Sequence, residues 1–341
     1  MKRVVLLDNL DVPYVLNTRK YKKYIKLIEK YITKYFKKPS ALVDIKCPGC
    51  DKKNKKTGYK KMSMKFTICP RCGSHYVNPR PQPTLLEKFY KESKACRVWR
   101  EDIRSLNEEQ LHYIIGPRLR WIQELTDEYL TDNPILLDVE TKYPHLLQRL
   151  IKENEFKTVL SYRTQLFENS DLLPKEVGVL VNNPSDDTYR GRVGLITAFE
   201  TLERMFDPRE FFDLAKKYCQ AGGLLLITTA SCSGFEYQVL GKDAPNINPI
   251  NRMNLLSLEA ISKLIQKAGF ELIELSTPGR LDVEIARKAA KESEAIHIDP
   301  FWKYIFDFRD EKTWLNLQNF LQENRLSSHV RIAARKKMGS A

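Results

Sequence analysis

Val193-Gly-Leu-Ile-Thr-Ala-Phe199 opens the segment that decides the fold. Behind it come Asp207-Pro-Arg-Glu-Phe-Phe-Asp-Leu-Ala-Lys-Lys-Tyr218, a Gly222-Gly223 turn and a second apolar run, Leu224-Leu-Leu-Ile-Thr-Thr229. The first and last pieces are short, rich in Leu and Ile, and bounded by turn residues, as strands buried on both faces are. The middle piece sets apolar residues at helical spacing behind an Asp-Pro start. Further on, Ser257 caps a helix over 258–268, with Glu259 in its first turn and Gly269 at its end. Phe270–Ser276 reads as the next strand. Strands alternating with helices, with Gly at the joints, predict a mostly parallel sheet covered by helices: an α/β, three-layer sandwich.

The pattern extends in both directions. Ile135-Leu-Leu-Asp-Val139 and Thr158–Ser161 read as the first two strands of the sheet. Trp314–Leu321 reads as an amphipathic helix and Val330–Ala334 as the last strand. Upstream, Tyr21 to Phe36 places Tyr24, Ile28, Tyr31, Ile32 and Tyr35 near one helical period, with lysines opposite, and Pro39 ends it. Residues 97–106 and 108–129 read as helices, the second kinked or split at Gly116-Pro117. The expected organisation is a basic helical segment (1–40), a small metal module (41–80), a helical connector (81–130) and the α/β domain (131–336).

Composition narrows the class. The 341 residues are 42% apolar and 29% charged, ordinary values for a globular protein. No apolar stretch nears the ~20 residues that span a bilayer. The run Val4–Leu7 is too short for a signal-peptide core, so a cytoplasmic location is expected. The net charge is +14, and residues 1–80 hold 21 Lys+Arg against 5 Asp+Glu. The basic excess therefore sits in the N-terminal quarter. It suits an anionic partner, whether nucleic acid, phosphorylated glycan or membrane surface, or else it is a solvated lysine face. The tyrosines of the N-terminal helix suit packing on the neighbouring domain.

Cys47-Pro-Gly-Cys50 and Cys69-Pro-Arg-Cys72 form two C-x-x-C knuckles separated by 18 residues. Each two-residue spacer lets the backbone turn so that both sulfurs point inward, and four thiolates close a tetrahedral shell around Zn²⁺. Disulfides fit poorly without secretion, and a redox C-x-x-C fits poorly with two matched pairs. Four protein ligands leave no open position, so a zinc here is structural. Gly73 marks a tight turn after the second knuckle. Cys96, Cys219 and Cys232 are isolated.

Several segments together resemble class I S-adenosylmethionine (SAM) dependent methyltransferases, over roughly 45–336. More narrowly, the chain is similar to bacterial methyltransferase-domain proteins with an N-terminal zinc ribbon, often linked to surface-glycan and polysaccharide assembly. The segments are Val77-Asn-Pro-Arg-Pro81 with Phe89-Tyr90, Thr277-Pro-Gly-Arg-Leu-Asp282, and Leu326-Ser-Ser-His329 ahead of a final strand. The resemblance implies an antiparallel last strand, SAM as cofactor, and a sugar nucleotide or glycan precursor as methyl acceptor. Asp138, Glu140 and Glu200 are then the cofactor-binding candidates. His329 and Asp282 are the catalytic candidates, the imidazole as general base and the carboxylate as its orienter. A helix-ending turn whose serines bond the backbone is the other reading of Ser327-Ser328-His329.

The cofactor half departs from the family's pattern. Asp138-Val-Glu-Thr-Lys-Tyr-Pro-His145 has the acidic residue but none of the glycines that bring backbone close to the cofactor. The second strand leads to Arg163 where an acid would bind the ribose, and the Glu-His pair appears as Glu203-Arg204. Two readings follow: a working methyltransferase with an unusual SAM site, or a pseudo-methyltransferase acting as a binding or scaffold protein for an anionic polymer or partner enzyme.

Overall fold

The computed structural model describes residues 18–54, 58–130, 133–153, 155–163, 172–181, 187–293 and 296–338. The short strand and turn that the sequence suggests over 1–18 lie, but for Thr18, outside these, as does the end at 339–341. Helix α1 (Thr18–Tyr35) precedes β1 (Leu42–Val43), β2 (Tyr59–Lys61), β3 (Met64–Ile68), β4 (His75–Val77) and β5 (Arg80–Pro81). Helices α2 (Pro83–Glu92), α3 (Lys94–Arg104) and α4 (Glu108–Tyr129) follow. The α/β part runs β6 (Ile135–Val139), α5 (Pro144–Lys152), β7 (Thr158–Arg163), β8 (Gly178–Val181), β9 (Val193–Phe199), α6 (Pro208–Tyr218) and β10 (Cys219–Ala230). It continues through α7 (Phe235–Leu240), β11 (Asn254–Leu255), α8 (Leu258–Lys267), β12 (Phe270–Ser276), α9 (Asp282–Glu292), α10 (Pro300–Phe308), α11 (Glu311–Glu323) and β13 (His329–Lys336).

Seven strands form one sheet in the order β12-β13-β10-β9-β6-β7-β8. β6 to β10 run parallel, and β13 lies antiparallel between β10 and β12. This is the class I methyltransferase sandwich. Its core strand β9 is buried at every position, which is why its sequence shows no alternation. Asp207 and Ser257 cap α6 and α8 as their positions predict, accepting from the amides of Arg209 and Ala260.

Two local expectations need correction. Gly222-Gly223 is not a turn. It lies inside β10, where the residues 220–223 between Cys219 and Leu224 face the single Gly194 between Val193 and Leu195 on β9. Gly222 takes a φ of +73°, and a Cβ on Gly223 would come within 2.8 Å of Cys219 Sγ, so glycine suits the bulge. Gly116-Pro117 does not split α4, which runs unbroken through Pro117. The helix is anchored on both sides of the proline, by buried Leu111 and Ile115 before it and Trp121, Ile122 and Leu125 after it. That burial offsets the hydrogen bond the ring removes.

The ribbon strands do not stand alone. Their sheet has the order β11-β4-β3-β2, and β11 comes from the α/β part: Asn254 pairs with Tyr76 and Leu255 with His75. Arg80 is fully buried at the junction, donating to the carbonyls of Val77 and Phe206 and to Asn254 Oδ1. The apolar face of α1 is buried through Tyr24, Ile28 and Ile32, with Tyr24 against Trp99 and Tyr31 against Phe89. Lys22, Lys23, Lys26, Lys30 and Lys34 stay exposed on its other side. Among the described residues, no helix is long and apolar enough to cross a membrane.

Candidate functional site

The two knuckles fold alike. Asp51 N–H donates to Cys47 O, Gly73 N–H donates to Cys69 O, and Gly73 takes a φ of +71°. These turns bring the sulfurs of Cys47, Cys50, Cys69 and Cys72 within 4.8 Å of one another, with Cys47–Cys72 at 3.6 Å and Cys50–Cys69 at 3.5 Å. A tetrahedral Zn–S shell of about 2.3 Å has sulfur edges of similar length, so the four could hold a metal ion. The knuckles also grip the α/β part: Ser257 Oγ donates to Cys72 O at 2.5 Å, and Cys232 Sγ reaches Gly73 O at 3.4 Å.

The turn after β6 takes a left-handed backbone at Glu140, a conformation that glycine usually supplies. Asp138 is buried and accepts from Thr197 Oγ1 at 2.6 Å; burial pushes its carboxyl up to about 6 against the hydrogen bonds of Thr197 and Thr141. Glu140 is buried with φ +57°, and its amide donates to Tyr162 O on β7. Glu200, at the end of β9, repeats this: φ +55°, amide to Thr228 O on β10. A left-handed conformation at a non-glycine residue costs about 1–2 kcal/mol, which tight backbone bridging to the next strand sustains.

Charged and aromatic side chains stand at the turn where glycines would leave bare backbone. Thr141 and Ser161 share a hydrogen bond of 2.9 Å. Lys142 and Arg118 both pair with the Glu200 carboxylate, Arg118 at 2.8 Å. The Tyr143 ring lies under both cations, with each 5.0 Å from its centroid. Burial lowers the Lys142 ammonium to about 8. A glycine-rich turn offers SAM room and bare backbone. The described residues here offer an ion-paired cluster and a ring, and β7 ends in Arg163. They are not the bare backbone that a glycine-rich SAM turn presents.

The opposite rim is built from Thr277–Asp282 and Ser327–His329. The Asp282 carboxylate accepts from Ser327 Oγ, Ser328 Oγ and, at 2.7 Å, Ser328 N–H. Ser327 N–H donates to Thr277 Oγ1, and Gln318 and Gln322 both donate to Gly279 O. A Cβ on Gly234 would overlap Ser328, and one on Gly279 would overlap Ser327 Oγ. The two segments therefore interlock by carboxylate, hydroxyl and close backbone contact. The serines bond a side chain rather than their own turn, and Asp282 holds those serines rather than the imidazole of His329. Burial, then Arg118, Arg252, Lys142 and Arg331, lower His329 to about 3, so it is a neutral imidazole at physiological pH.

Between turn and rim lies a cavity of about 670 Å³. Glu200, Asp282 and His329 line it together, whereas Asp138 and Glu140 do not, and the cysteine cluster is elsewhere. The Glu203-Arg204 pair lines it too: Glu203 accepts from Thr229 Oγ1 at 2.7 Å, and Arg204 Nε donates to Glu200 O. Sequence reasoning missed other cations of the cavity, among them Arg118, Lys142, Arg252 and Arg331. Arg331 carried a readable signal, since it interrupts an otherwise apolar final strand. Arg118 sits on a helix and had none.

Residues 111–275 match the family model of a methyltransferase domain. No curated protein matches. Solved structures of like fold include a putative methyltransferase from Bacillus halodurans C-125, at 16% identity over 65% of this chain and 100% of that one, with a TM-score of 0.40. Geranyl diphosphate C-methyltransferase from Streptomyces coelicolor A3(2), solved with geranyl diphosphate and S-adenosyl-L-homocysteine, gives 14%, 72%, 85% and 0.43 in the same order. A putative sarcosine dimethylglycine methyltransferase from Galdieria sulphuraria gives 12%, 70%, 91% and 0.42. Just under half of the chain thus matches a methyltransferase domain, on a sheet whose strand order is that of the class I methyltransferase fold.

Proposed function

We propose that this methyltransferase-like protein is closed to SAM and uses the cavity between turn and rim to bind an anionic ligand without methylating it, while a structural zinc held by Cys47, Cys50, Cys69 and Cys72 fixes the ribbon. The observation that carries this is the Lys142–Glu200–Arg118 cluster over Tyr143, standing where a cofactor turn must be open. Taking the carboxylate from two buried cations costs about 3–5 kcal/mol. A micromolar ligand binds with about 8 kcal/mol, so a cofactor forced to open this cluster falls to roughly millimolar affinity. The proton chemistry points the same way. A base at about 3 takes little of a hydroxyl's proton at neutral pH, and Asp282 is already saturated with donors.

Calorimetry with SAM and S-adenosylhomocysteine on zinc-loaded protein tests this. No saturable heat up to 1 mM ligand is expected; saturation at tens of micromolar overturns the closed-turn reading. The second reading, methyl transfer from SAM to an oxygen or nitrogen of a sugar nucleotide or glycan precursor, is favoured by the match of residues 111–275 to a methyltransferase domain. It would survive that saturation.

A further inference from the structure

Two helix faces outside the cavity turn to solvent, and each is unfavourable to leave there. On α1, Lys22, Lys26, Lys30 and Lys34 are exposed and recur every fourth residue, so their side chains stand in one row. Like charges at this spacing destabilise a helix, and a lysine near a helix N-terminus opposes the macrodipole. Glu29 is the one acid in α1, and its first turn has none. The apolar side of the helix is already taken, since Tyr24, Ile28 and Ile32 are buried in the protein's own core. An anionic surface outside the protein would turn the unfavourable row into a favourable one.

The second face, on α10, is aromatic. Asp299 caps the helix, and its inward side is packed, with Phe306 buried and Trp302 edge-on to Phe235 at 4.8 Å. Its outward side carries Phe301, Tyr304 and Phe308, at i, i+3 and i+7, exposed by 59%, 46% and 73%. Rings this open, aligned on one helix, mark a contact surface rather than scattered apolar exposure. The charges beside them nearly cancel: exposed Lys303 and Arg309 stand against exposed Asp307, Asp310 and Glu311.

The two faces start close together. Lys22, first in the row, pairs with Glu292 at 3.5 Å, and Glu292 ends α9 just ahead of α10. We propose that this side of the molecule docks on an anionic lipid bilayer, the lysine row against acidic headgroups and the α10 rings at the boundary of headgroups and acyl chains. A bilayer meets both faces at once, because its headgroups carry the negative charge and the zone beneath them favours aromatic side chains. A polynucleotide would need cations along the ring-bearing helix as well, and α10 and the turn after it hold at least as many acids as bases. A second copy of the chain would bring the same lysines against the row.

Co-sedimentation of the zinc-loaded full chain with lipid vesicles tests this. Phosphatidylcholine vesicles containing about a third phosphatidylserine should bind the protein about tenfold or more tighter than phosphatidylcholine alone. Most of that gain should vanish between about 0.05 and about 0.5 M salt. A lysine near such a surface contributes about fivefold, so the triple change Lys22→Glu, Lys26→Glu and Lys30→Glu should abolish the gain. Phe301→Ser with Phe308→Ser should weaken binding about tenfold and leave the salt response in place. All five side chains are exposed, and melting curves check the fold. Lys263→Glu with Lys267→Glu, exposed on α8, should change affinity by less than about twofold. Equal affinity for the two vesicle types, an equal loss from the α8 pair and the α1 triple, or ring variants that bind like the parent each overturns the proposal. So does a random-sequence DNA duplex that binds tighter than the acidic vesicles, since the row would then serve a nucleic acid.

Discussion

The turn after β6 and the rim of residues 277–282 and 327–329 stand at the same end of one sheet, yet they are built in opposite ways. The turn is closed by charges that meet each other across it, Lys142 and Arg118 on Glu200. At the rim, one carboxylate is held by hydroxyls and a backbone amide while a cavity stays open beside it. A fold whose strands are pinned by their own ladders can lose one site without losing the other. The two halves can thus be probed separately, because what stabilises each is chemically distinct.

The largest expected effect comes from the metal, and it should fall on the rim side. The ribbon reaches segments following β10 through β11, Ser257 and Cys232, and among the described residues meets the start of α6 only through Arg80 on Phe206 O and Asp51 with Arg209. Structural zinc contributes folding free energy outright, on the order of 10 kcal/mol in small modules. Replacing Cys47 and Cys50 by Ser, or chelating the metal, should lower Tm by about 10 °C or more. Amide exchange should rise at 253–258 before it rises at 135–143. Uniform loosening of both regions would mean that the ribbon supports the whole sheet and that the comparison has no structural basis. Fewer than one zinc per chain in fresh protein would remove the metal itself.

Next in size is the turn's own lock. Glu200→Gln leaves Arg118 and Lys142 without their shared counter-charge. Glu200 is a quarter exposed, so the low end of the range for a broken buried pair applies, about 3 kcal/mol. Denaturant unfolding should show that loss, with exchange rising around 140–143 and little change around 277–282. A loss under about 0.5 kcal/mol would show that water already screens the cluster and that the turn is less closed than its geometry indicates.

How legible each half was follows from where its information sits. The sheet could be read from β9, α6 and β12 because apolar run lengths and caps are local, and the four cysteines because ligand spacing is local. The absence of glycine between Asp138 and His145 was visible, but not what replaced it. Glu200 pairs with residues 82 and 58 positions away, and no periodicity reports such a pairing. The same holds for β11: two residues, Asn254 and Leu255, carry no strand signal, yet they join the ribbon to the sheet's connecting loops. Asp282 and His329 were expected to act on each other. Both line the cavity, but the serines between them in the sequence take the carboxylate, a matter of a few ångströms that a motif does not encode.

The smallest of these effects tests the rim's field through acid. His329 is lowered to about 3 by burial and by Arg118, Arg252, Lys142 and Arg331, while an unfolded histidine titrates near 6.5. Between those values the unfolded chain binds the proton and the folded chain does not, so stability falls as pH drops from 6.5 towards 3. From pH 7 to pH 5 that amounts to about 2 kcal/mol. Glu236 and Asp138, raised to about 7 and 6 by burial, act in the opposite sense, favouring the folded state as pH falls below those values. The total curve therefore mixes signs, and the useful quantity is a difference. His329→Gln should lose about 2 kcal/mol less than the parent over that interval in denaturant unfolding at the two pH values. Equal losses would mean that His329 is hydrated enough to protonate in the folded state, and the positive field assigned to the rim would then be too weak to select an anion.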